Sequence, residues 1–499
     1  MFRTGFLRLG FNNGNPIELT LAERRQGTYI VGTTGTGKST LLKNIVYQDM
    51  RDETEEHRHG LCVLDPHGDL IDEMLELVPR VREKDVILFD PMDIERPFGL
   101  NLLECDRDNP HQVRWVTSNV MGTLERLFYY SWGPLLEHVL RNTLLTAMEI
   151  PDSTFVELVL LLSNDEYRKP IIEKLDDPIL SQFWRDLPRG FKQRFEMVSS
   201  TLNKISPFIT DKSMRNIIGQ PKSTIDFSEI MNQGKILFIN LSKGDLGEAS
   251  SSLLGSVIVN QILIAALQRR SISQKERRPF HLIVDEFQNF ATESFAILQS
   301  EARKYAVDVT VAHQYRDQLD TLSKGSTFNV GNLVVFRITG RDSYDLASQF
   351  DNTPPQADTR VEPVYQYYDY QGQEFLVQAE LSTGEGTLYQ ELELPRRPYN
   401  DTEAEMANRL SILPNFQAWC RLIHDPRSRG EKKNPRLVEF QIETEELGKK
   451  DANPDIAARI RERSRNLAPT REEVEADIIR RTRGTIKPEY DVPPAVEER

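Results

Sequence analysis

Seven short apolar stretches constrain the fold of this chain more than any other feature, because they end abruptly at polar residues or at glycine. They are TYIVG (28–32), LCVLD (61–65), VILFD (86–90), ILFIN (236–240), LIVDE (282–286), VTVAHQ (309–314) and LVVFRI (333–338). Continuous apolar strands joined through helical stretches are typical of a parallel sheet covered on both faces. We therefore predict an α/β fold with a mainly parallel sheet. Ligands bind outside the carboxyl ends of such strands. We therefore expect the functional site at the edge of the sheet where these polar residues lie.

The pattern of short strands is interrupted twice. Between residues 106 and 218, apolar residues recur near the helical period of 3.6, as in GPLLEHVLRNTLLTAMEI. This predicts an all-α insertion domain. Between residues 351 and 400, stretches such as YQYYDYQ and EFLVQAEL are rich in β-forming residues around glycine-containing turns. This predicts a small β-rich insertion.

The remaining part of the chain returns to the core and ends in a charged tail. LPNFQAWCRLI predicts a last core strand, and NPDIAARIRERSRNL and TREEVEADIIRRTRG predict helices with charge pairs four residues apart. We expect these helices to form a solvated or partner-facing tail. The predicted organisation is a first core part (1–105), an all-α insertion (106–218), a second core part (219–350), a β-rich insertion (351–400), a return to the core (401–430) and a charged helical tail (431–499).

Composition limits the partners and the location. The formal charge of -14 argues against wholesale wrapping by nucleic acid, because nonspecific affinity comes from neutralising phosphates. Any DNA contact must therefore be local, such as a lined channel.

No apolar run approaches the roughly 18 to 20 residues that span a bilayer, so we expect no integral membrane segment and a cytoplasmic location. The cysteines, Cys62, Cys105 and Cys420, are too widely spaced to indicate a disulfide framework or a thiolate metal site.

The segment GTTGTGKS, which begins at Gly32, matches the phosphate-binding pattern G-x-x-x-x-G-K-[ST] between a strand and a helical stretch. Its glycines allow backbone N–H groups to face a β-phosphate, and the following helix directs its positive N-terminus at the same oxygens. Lys38 would bridge the β- and γ-phosphates, and Ser39 would ligate Mg²⁺. The predicted cofactors are ATP and Mg²⁺. The predicted nucleotide-binding residues are Gly32, Thr33, Thr34, Gly35, Thr36, Gly37, Lys38, Ser39 and Thr40.

A second strand beside the phosphate loop must supply a carboxylate for the Mg²⁺ shell and a base for the attacking water. The stretch LIVDE ends in two acids. We assign the metal role to Asp285 and the water role to Glu286. A kinase-like enzyme would not need Glu286, because its nucleophile is a substrate hydroxyl. The pair therefore favours hydrolysis.

Two further residues are candidates for the catalytic site. Gln314 ends the next strand, where its amide can contact the γ-phosphate or the water. Arg303 lies beside an apolar helical stripe and cannot easily reach the phosphates of its own chain if that helix packs on the sheet. A neighbouring subunit can accept it as an arginine finger, and the alternative is a surface arginine paired with an acid. The stripe consists of Phe295, Leu298, Ala302 and Tyr305.

Longer motifs occur in a fixed order over most of residues 25 to 345. They are YIVGTTGTGKSTLL, VLDPHGDL, MRNIIGQPKSTIDF, GKILFINLSKGDLGE, VDEFQNFAT and EARKYAVDVTVAHQ. Together they resemble the ring-forming, RecA-like DNA-pumping ATPases of the FtsK and HerA kind, and among these the conjugative coupling ATPases of type IV secretion.

The resemblance implies a RecA-like P-loop ATPase fold and a homohexamer with ATP sites at subunit interfaces. It also implies that Arg303 is the arginine finger, that Gln314 is the sensing glutamine and that the helical insertion takes part in DNA recognition. Many coupling proteins begin with transmembrane helices, and HerA-type proteins begin with a small β-barrel. The phosphate loop of this chain starts at Gly32, so we expect neither element.

Two basic segments are candidates for a local DNA lining. RGFKQR, from Arg189 to Arg194, lies in the helical insertion, where Phe191 can stack on an exposed base. QRRSISQKERR, from Gln268 to Arg278, precedes the strand that ends at the two acids. Mixed-charge loops are more often only solvated.

Three functions are compatible with these features. The first is a Mg²⁺-dependent and ATP-dependent motor that forms a ring and moves DNA through its central pore. The second is an ATP-gated ring scaffold that controls a nuclease, another effector or a DNA-processing partner, with the charged tail as its docking element. The third is a motor for protein substrates.

Overall fold

The computed structural model describes residues 5–51, 58–188, 191–319, 324–325, 327–350, 359–363, 365–370, 373–378, 389–393, 399–430, 434–445 and 449–483. The chain divides into two compact units. The first contains the described parts of Met1–Phe336 and Asn415–Arg499, and the second contains those of Arg337–Pro414.

Eleven of the described strands form one sheet, in the order β2-β1-β15-β14-β9-β3-β8-β7-β4-β6-β5. In chain order the strands are β1 Phe6–Asn12, β2 Asn15–Thr20, β3 Thr28–Val31, β4 Gly60–Asp65, β5 Val86–Phe89, β6 Ile236–Asn240, β7 Phe280–Val284, β8 Val307–His313, β9 Asn332–Val335, β10 Thr359–Pro363, β11 Tyr365–Tyr370, β12 Gln373–Gln378, β13 Tyr389–Glu393, β14 Gln417–His424 and β15 Arg436–Glu443.

Seven neighbouring strands of this sheet, from β9 to β5, are parallel. They coincide with the seven apolar stretches of the sequence, and every residue of β3, β4, β7, β8 and β9 is buried. Strands that are buried on both faces have continuous apolar sequences. The predicted α/β fold with a mainly parallel sheet is confirmed.

Helices pack around the sheet and fill the segment between β5 and β6. They are α1 Leu21–Arg24, α2 Lys38–Asp49, α3 Asp69–Glu76, α4 Pro110–Leu127, α5 Pro134–Met148, α6 Phe155–Ser163, α7 Asp165–Ile172, α8 Pro178–Asp186, α9 Phe191–Thr210, α10 Lys212–Ile218, α11 Phe227–Gln233, α12 Lys243–Leu246, α13 Glu248–Gln268, α14 Glu293–Glu301, α15 Arg341–Ala347, α16 Tyr399–Ser411, α17 Pro454–Arg465 and α18 Arg471–Arg483.

The helices from α4 to α10 lie within the predicted all-α insertion, whose boundaries stay a prediction. Helix α4 begins at a proline after Asn109, whose side chain accepts bonds from the next backbone N–H groups. Helix α6 begins at a capping box formed by Thr154 and Glu157. Helix α5 packs against α4, α6, α8 and α9, and α4 packs against α13. The insertion is therefore joined to the core through α4.

The sheet extends beyond β9 through four antiparallel strands. β14 pairs with β9 and β15, and β1 pairs with β15 and β2. The prediction that LPNFQAWCRLI is the last core strand is wrong, because β15 follows it within the segment predicted to be a helical tail. The sequence of β15, RLVEFQIE, is mostly half-exposed, so it lacks the continuous apolar signal of the parallel strands.

The two tail helices also pack on the body of the protein. Ile456, Ala457 and Ile460 of α17 are buried, and α17 packs against α3 and β5. Arg481 of α18 forms an ion pair with Glu157 of the insertion. The prediction of a solvated or partner-facing tail is therefore wrong for these helices, because each has an apolar stripe that the charge pattern obscured.

The described residues of the second compact unit form four short strands and two helices. β10 pairs with β13, β11 pairs with β12, and both pairs are antiparallel. Helices α15 and α16 pack against each other. The strands lie within the predicted β-rich insertion, and the helices extend the unit on both sides of it.

One described helical stretch, Glu248–Ser271, is long and apolar enough to cross a membrane, so the prediction that no apolar run approaches this length is wrong. Its most apolar window is 83% buried inside the protein. A core helix that is apolar on all sides passes the same test of length and composition. The burial of this stretch supports a role in the core.

Candidate nucleotide-binding site

The loop that begins at Gly32 connects β3 to α2, and its shape depends on glycine. The φ angles of Gly35 and Gly37 are 76° and 121°, which side chains disfavour. A Cβ atom at Gly32 would lie 2.5 Å from Cβ of Phe336. A Cβ atom at Gly37 would lie 2.9 Å from the ring of Phe336. Helix α2 begins at Lys38, so its N-terminal amides face the loop. This geometry is suited to a phosphate group.

Lys38 is folded into this loop. Its Nζ donates to the carbonyl oxygens of Gly32 at 2.6 Å and of Thr33 at 3.3 Å, and the side chain is only 6% exposed. Burial lowers the pKa of Lys38, whereas the charges of Glu286 and then Asp285 raise it. The lysine and the two acids therefore share one electrostatic environment.

The other predicted loop residues surround this lysine. Thr36 is buried, and its Oγ1 donates to the carbonyl oxygen of Thr33 at 2.7 Å. Thr33 and Thr40 are half-buried, whereas Thr34, Gly35 and Ser39 are exposed. Ser39 lies in the first turn of α2, where its hydroxyl is accessible to a bound nucleotide.

Asp285 and Glu286 follow β7, but β7 is not adjacent to the strand of the phosphate loop. β8 lies between β3 and β7, so the prediction of a carboxylate strand beside the phosphate loop is wrong by one strand. The pKa of Asp285 is raised to about 7, first by burial and then by the charges of Glu286 and Asp65, against the opposing effects of the Glu286 N–H and Lys38. Asp65 ends β4, the strand next to β7.

Asp65 has a structural role that the sequence pattern did not reveal. Its Oδ2 accepts bonds from the backbone N–H groups of Leu70 at 2.9 Å and Ile71 at 3.3 Å. It therefore caps the first turn of α3. Its carboxylate also accounts for part of the raised pKa of Asp285, after burial and the charge of Glu286.

Glu286 is held in a left-handed conformation, with a φ of 43°. Both carboxylate oxygens accept amide N–H bonds, from Gln288 at 2.7 Å and from Gln314 at 2.9 Å. Its backbone carbonyl accepts a bond from the side chain of Asn289 at 2.7 Å. A strained non-glycine residue persists only where its surroundings impose the strain, and such residues cluster at functional sites.

Gln314 connects this carboxylate to the phosphate loop. Its Oε1 accepts a bond from Oγ1 of Thr34 at 3.0 Å, while its Nε2 donates to Glu286. Gln314 follows β8, the strand that separates β3 from β7. One amide therefore contacts both parts of the candidate site.

Arg126 of α4 is a residue of this site that the sequence analysis missed. Its guanidinium donates to the carbonyl oxygens of Gln288 at 3.3 Å and Ala291 at 2.7 Å, and also to that of Asn289. These carbonyls belong to the short segment that comes after Glu286 in the chain. No local pattern identifies Arg126, because these three carbonyl partners lie more than 160 positions away and are backbone atoms.

Arg303 lies away from the phosphate loop of its own chain. Its Nη1 donates to Oε1 of Gln26 at 2.7 Å, and its side chain is exposed. Both residues precede their strands, β8 and β3, so they lie at the amino edge of the parallel sheet. The seven residues of β8 separate this edge from Gln314 by roughly 20 Å, at about 3.3 Å per residue. Arg303 and the carboxylates therefore occupy opposite edges.

The two predicted DNA-binding segments receive little support. In RGFKQR, Arg189, Gly190 and the side chain of Phe191 lie outside the described residues, and Arg194 forms an ion pair with Asp165 at 2.8 Å. Arg194 therefore has a structural partner.

The second segment is largely structural. Arg269 is buried and donates to the carbonyl oxygens of Arg278 at 2.8 Å and Tyr305 at 3.0 Å. Arg277 donates to the carbonyl oxygens of Arg269 and Ile272, each at 3.0 Å. These arginines cross-link loops, whereas Arg270 and Lys275 remain exposed. The charge pattern alone did not distinguish the two groups.

The residues of the site fit a magnesium nucleotide. The loop and the N-terminus of α2 match the needs of a phosphate group, and Lys38 adds a positive charge. Asp285 is a buried carboxyl whose pKa is raised by burial and then by the charges of Glu286 and Asp65, and a bound divalent cation would oppose both effects. Mg²⁺ is commonly held by one or two protein oxygens together with substrate phosphates. Asp285 and Ser39 offer this kind of ligand.

Comparison with known proteins gives one family and a set of similar structures. Residues 15–329 match the model of the type IV secretion-system coupling protein DNA-binding domain. The unbound bacterial conjugative coupling protein TrwBdeltaN70 is 15% identical, with a TM-score of 0.55 over 88% of this chain and 89% of that one. TrwB with ADP and Mg²⁺ is 15% identical, with a TM-score of 0.56 over 88% and 89%.

TrwB in complex with the non-hydrolysable ATP analogue ADPNP is also 15% identical, with a TM-score of 0.56 over 88% of this chain and 90% of that one. At this level of identity the likeness shows the fold alone, and it confirms the predicted RecA-like P-loop architecture. Comparison with curated proteins gives no match.

Proposed function

The chain belongs to the family of the type IV secretion-system coupling protein DNA-binding domain, and from this premise we propose that it is an ATP-driven DNA translocase. The proposal rests above all on one cluster of residues, in which the charges of Glu286 and Asp285 act on Lys38 and Gln314 donates to Glu286. The nucleotide complexes of TrwB support ATP and Mg²⁺ as its ligands. The proposed site of action is the cytoplasm.

In this proposal the phosphate loop binds the triphosphate. The N-terminal amides of α2 bind the β-phosphate, and Lys38 leaves its two carbonyl partners to contact the β- and γ-phosphates. Ser39 and Asp285 would hold Mg²⁺, which supplies positive charge to the phosphate oxygens when bound. Asp285 must lose its proton to serve as a ligand, and the charge of Lys38 favours that loss.

Glu286 is the proposed base that orients the attacking water and accepts its proton. Both of its oxygens accept amide bonds from Gln288 and Gln314, so the water must replace at least one of these amides. Gln314 also contacts Thr34 of the phosphate loop. Its position makes it the residue that exchanges partners when a γ-phosphate enters the loop.

We propose that the working form is a ring, with six subunits as the expected number, and that Arg303 acts in a neighbouring subunit. The location of Arg303 at the opposite edge of the sheet supports a role in trans, because the side chain cannot span roughly 20 Å to its own loop. In a ring, the amino edge of one sheet can face the phosphate loop of the next. DNA would then pass through the central pore.

The test of the proposed function is ATP turnover by the purified protein without DNA and with single-stranded or double-stranded DNA, together with its mass in solution. We expect a several-fold stimulation by DNA, steep loss of DNA binding as salt rises, and the mass of a closed ring. Turnover stimulated by peptides but not by DNA would favour a motor for proteins. Turnover indifferent to both would favour the gated scaffold.

Replacing Arg126 with alanine should lower kcat for ATP roughly 10- to 100-fold, because small displacements of catalytic groups have effects of this size. The arginine holds the segment that follows Glu286, so the KM for ATP should stay nearly unchanged. Arg126→Lys should recover part of kcat. These parameters are measured by phosphate release at several ATP concentrations.

The matched control is Arg141→Ala. Arg141 lies on α5, is exposed and pairs with Glu137 at 2.8 Å, so its removal should leave both parameters unchanged. An equal fall of kcat in the Arg126→Ala and Arg126→Lys variants, accompanied by a lower melting temperature in both, would indicate a purely structural arginine.

A further inference from the structure

Phe416, just before β14, is a strained and exposed aromatic residue. Its φ angle is 65°, in a region that is costly for a bulky side chain, and the residue is 47% exposed. A residue that serves only the core would bury its ring in a relaxed backbone. Strain of this kind persists where the surrounding structure imposes it and is frequent at ligand sites.

Hydrogen bonds to the phosphate loop and to the end of β15 hold Phe416 in this conformation. Its N–H donates to the carbonyl oxygen of Thr36 at 2.7 Å. Its carbonyl oxygen accepts bonds from N–H of Thr444 at 2.8 Å and from Oγ1 of Thr444 at 3.0 Å. Asn44 of α2 donates to the carbonyl oxygen of Glu445. The end of β15 is therefore also attached to α2, the helix that follows the phosphate loop.

The backbone of Phe416 therefore adjoins the phosphate loop. A Cβ atom placed on Gly37 would lie 3.0 Å from Cα of Phe416. Gly37 directly precedes Lys38, where α2 begins, so Phe416 borders the part of the loop next to the helix N-terminus.

The order of the strands indicates which end of a nucleotide meets this ring. Gln314 and Glu286 follow β8 and β7, which lie on one side of β3 in the sheet, whereas β9 and β14 lie on the other side. A γ-phosphate positioned for attack lies toward Gln314 and Glu286. The base, at the far end of the nucleotide, must then extend toward the flank of β9 and β14, where Phe416 lies.

We infer that the ring of Phe416 is the platform on which the base of the nucleotide stacks. This inference deepens the proposed function and rests on it, because it assumes a nucleotide in the phosphate loop. Stacking uses the π-face that every base has, and replacing the aromatic residue by alanine typically weakens binding by about tenfold or more. Stacking does not read the edge of the base, so ADP and GDP should bind with similar affinity.

The experiment compares ADP with inorganic pyrophosphate, which lacks the base, by titration calorimetry in the presence of Mg²⁺. Phe416→Ala should lower the affinity for ADP by about tenfold or more. The affinity for pyrophosphate should change by less than about twofold, because pyrophosphate has no base to stack. Phe416→Trp should keep the affinity for ADP, because indole also stacks. The control is Leu437→Ala, which removes an exposed apolar side chain from β15. It should leave the affinities for ADP and pyrophosphate unchanged.

Each alternative result is decisive. If Phe416→Ala lowers the affinities for ADP and pyrophosphate equally, the residue only supports the loop. If the affinity for ADP is unchanged, the base lies elsewhere. Both results overturn the inference while leaving the proposed function intact. If the unaltered protein binds neither ligand, the phosphate loop itself is misassigned and the proposed function falls with the inference.

Discussion

Replacing Glu286 with glutamine should reduce ATP turnover by about 100- to 10,000-fold, the typical contribution of a positioned acid or base. The amide has the size of the carboxylate but cannot accept a proton from water. Binding of ADP should be retained, because Glu286 is expected to act on the water and not on the nucleotide. The measurements are phosphate release under saturating ATP and calorimetric titration with ADP.

The matched control for this variant is Glu301→Gln. Glu301 ends α14 and forms a partly exposed ion pair with Lys304 at 3.5 Å, so the same chemical change there should leave turnover unchanged. If Glu286→Gln keeps most of the turnover of the unaltered protein, Glu286 is not the base and the assignment of the carboxylate pair must be revised.

Replacing Arg303 with alanine should reduce turnover by about 1,000-fold or more, the range found for arginine fingers that stabilise transition-state charge. The expected loss is large although Arg303 lies at the edge of the sheet opposite to its own phosphate loop. Binding of ADP should change little, because the guanidinium acts mainly on charge that develops during the reaction. Phosphate release and ADP titration measure the two effects separately.

Mixing two inactive proteins tests whether Arg303 acts in trans. When subunits with Arg303→Ala are combined with subunits carrying Glu286→Gln, some interfaces contain an intact Glu286 from one chain and an intact Arg303 from the other. Turnover should therefore recover in part. Lys304→Ala is the control, because this neighbouring exposed cation should not affect activity. Absence of recovery in a ring of confirmed mass would exclude the role in trans.

Local sequence patterns identified the parallel part of the sheet well and the antiparallel part poorly. The seven parallel strands have continuous apolar sequences because both of their faces are covered. β1, β2 and β15 carry exposed or half-exposed residues, so their pattern resembles that of loops and surface helices. The tail helices were assigned correctly as helices, but their charge pairs concealed the apolar side chains that pack on the body of the protein.

The sequence by itself determined the phosphate loop and the two acids at a strand end, because both depend on neighbouring residues. Glycines at fixed spacing allow the loop conformation, and an apolar run ending in acids places carboxylates at the edge of the sheet. Only the tertiary structure decided that β8 separates the acids from the loop, and that Arg126 and Phe416 adjoin the site. These contacts join residues far apart in the chain. They depend on strand order and helix packing, which arise from the balance of many contacts and leave no local pattern.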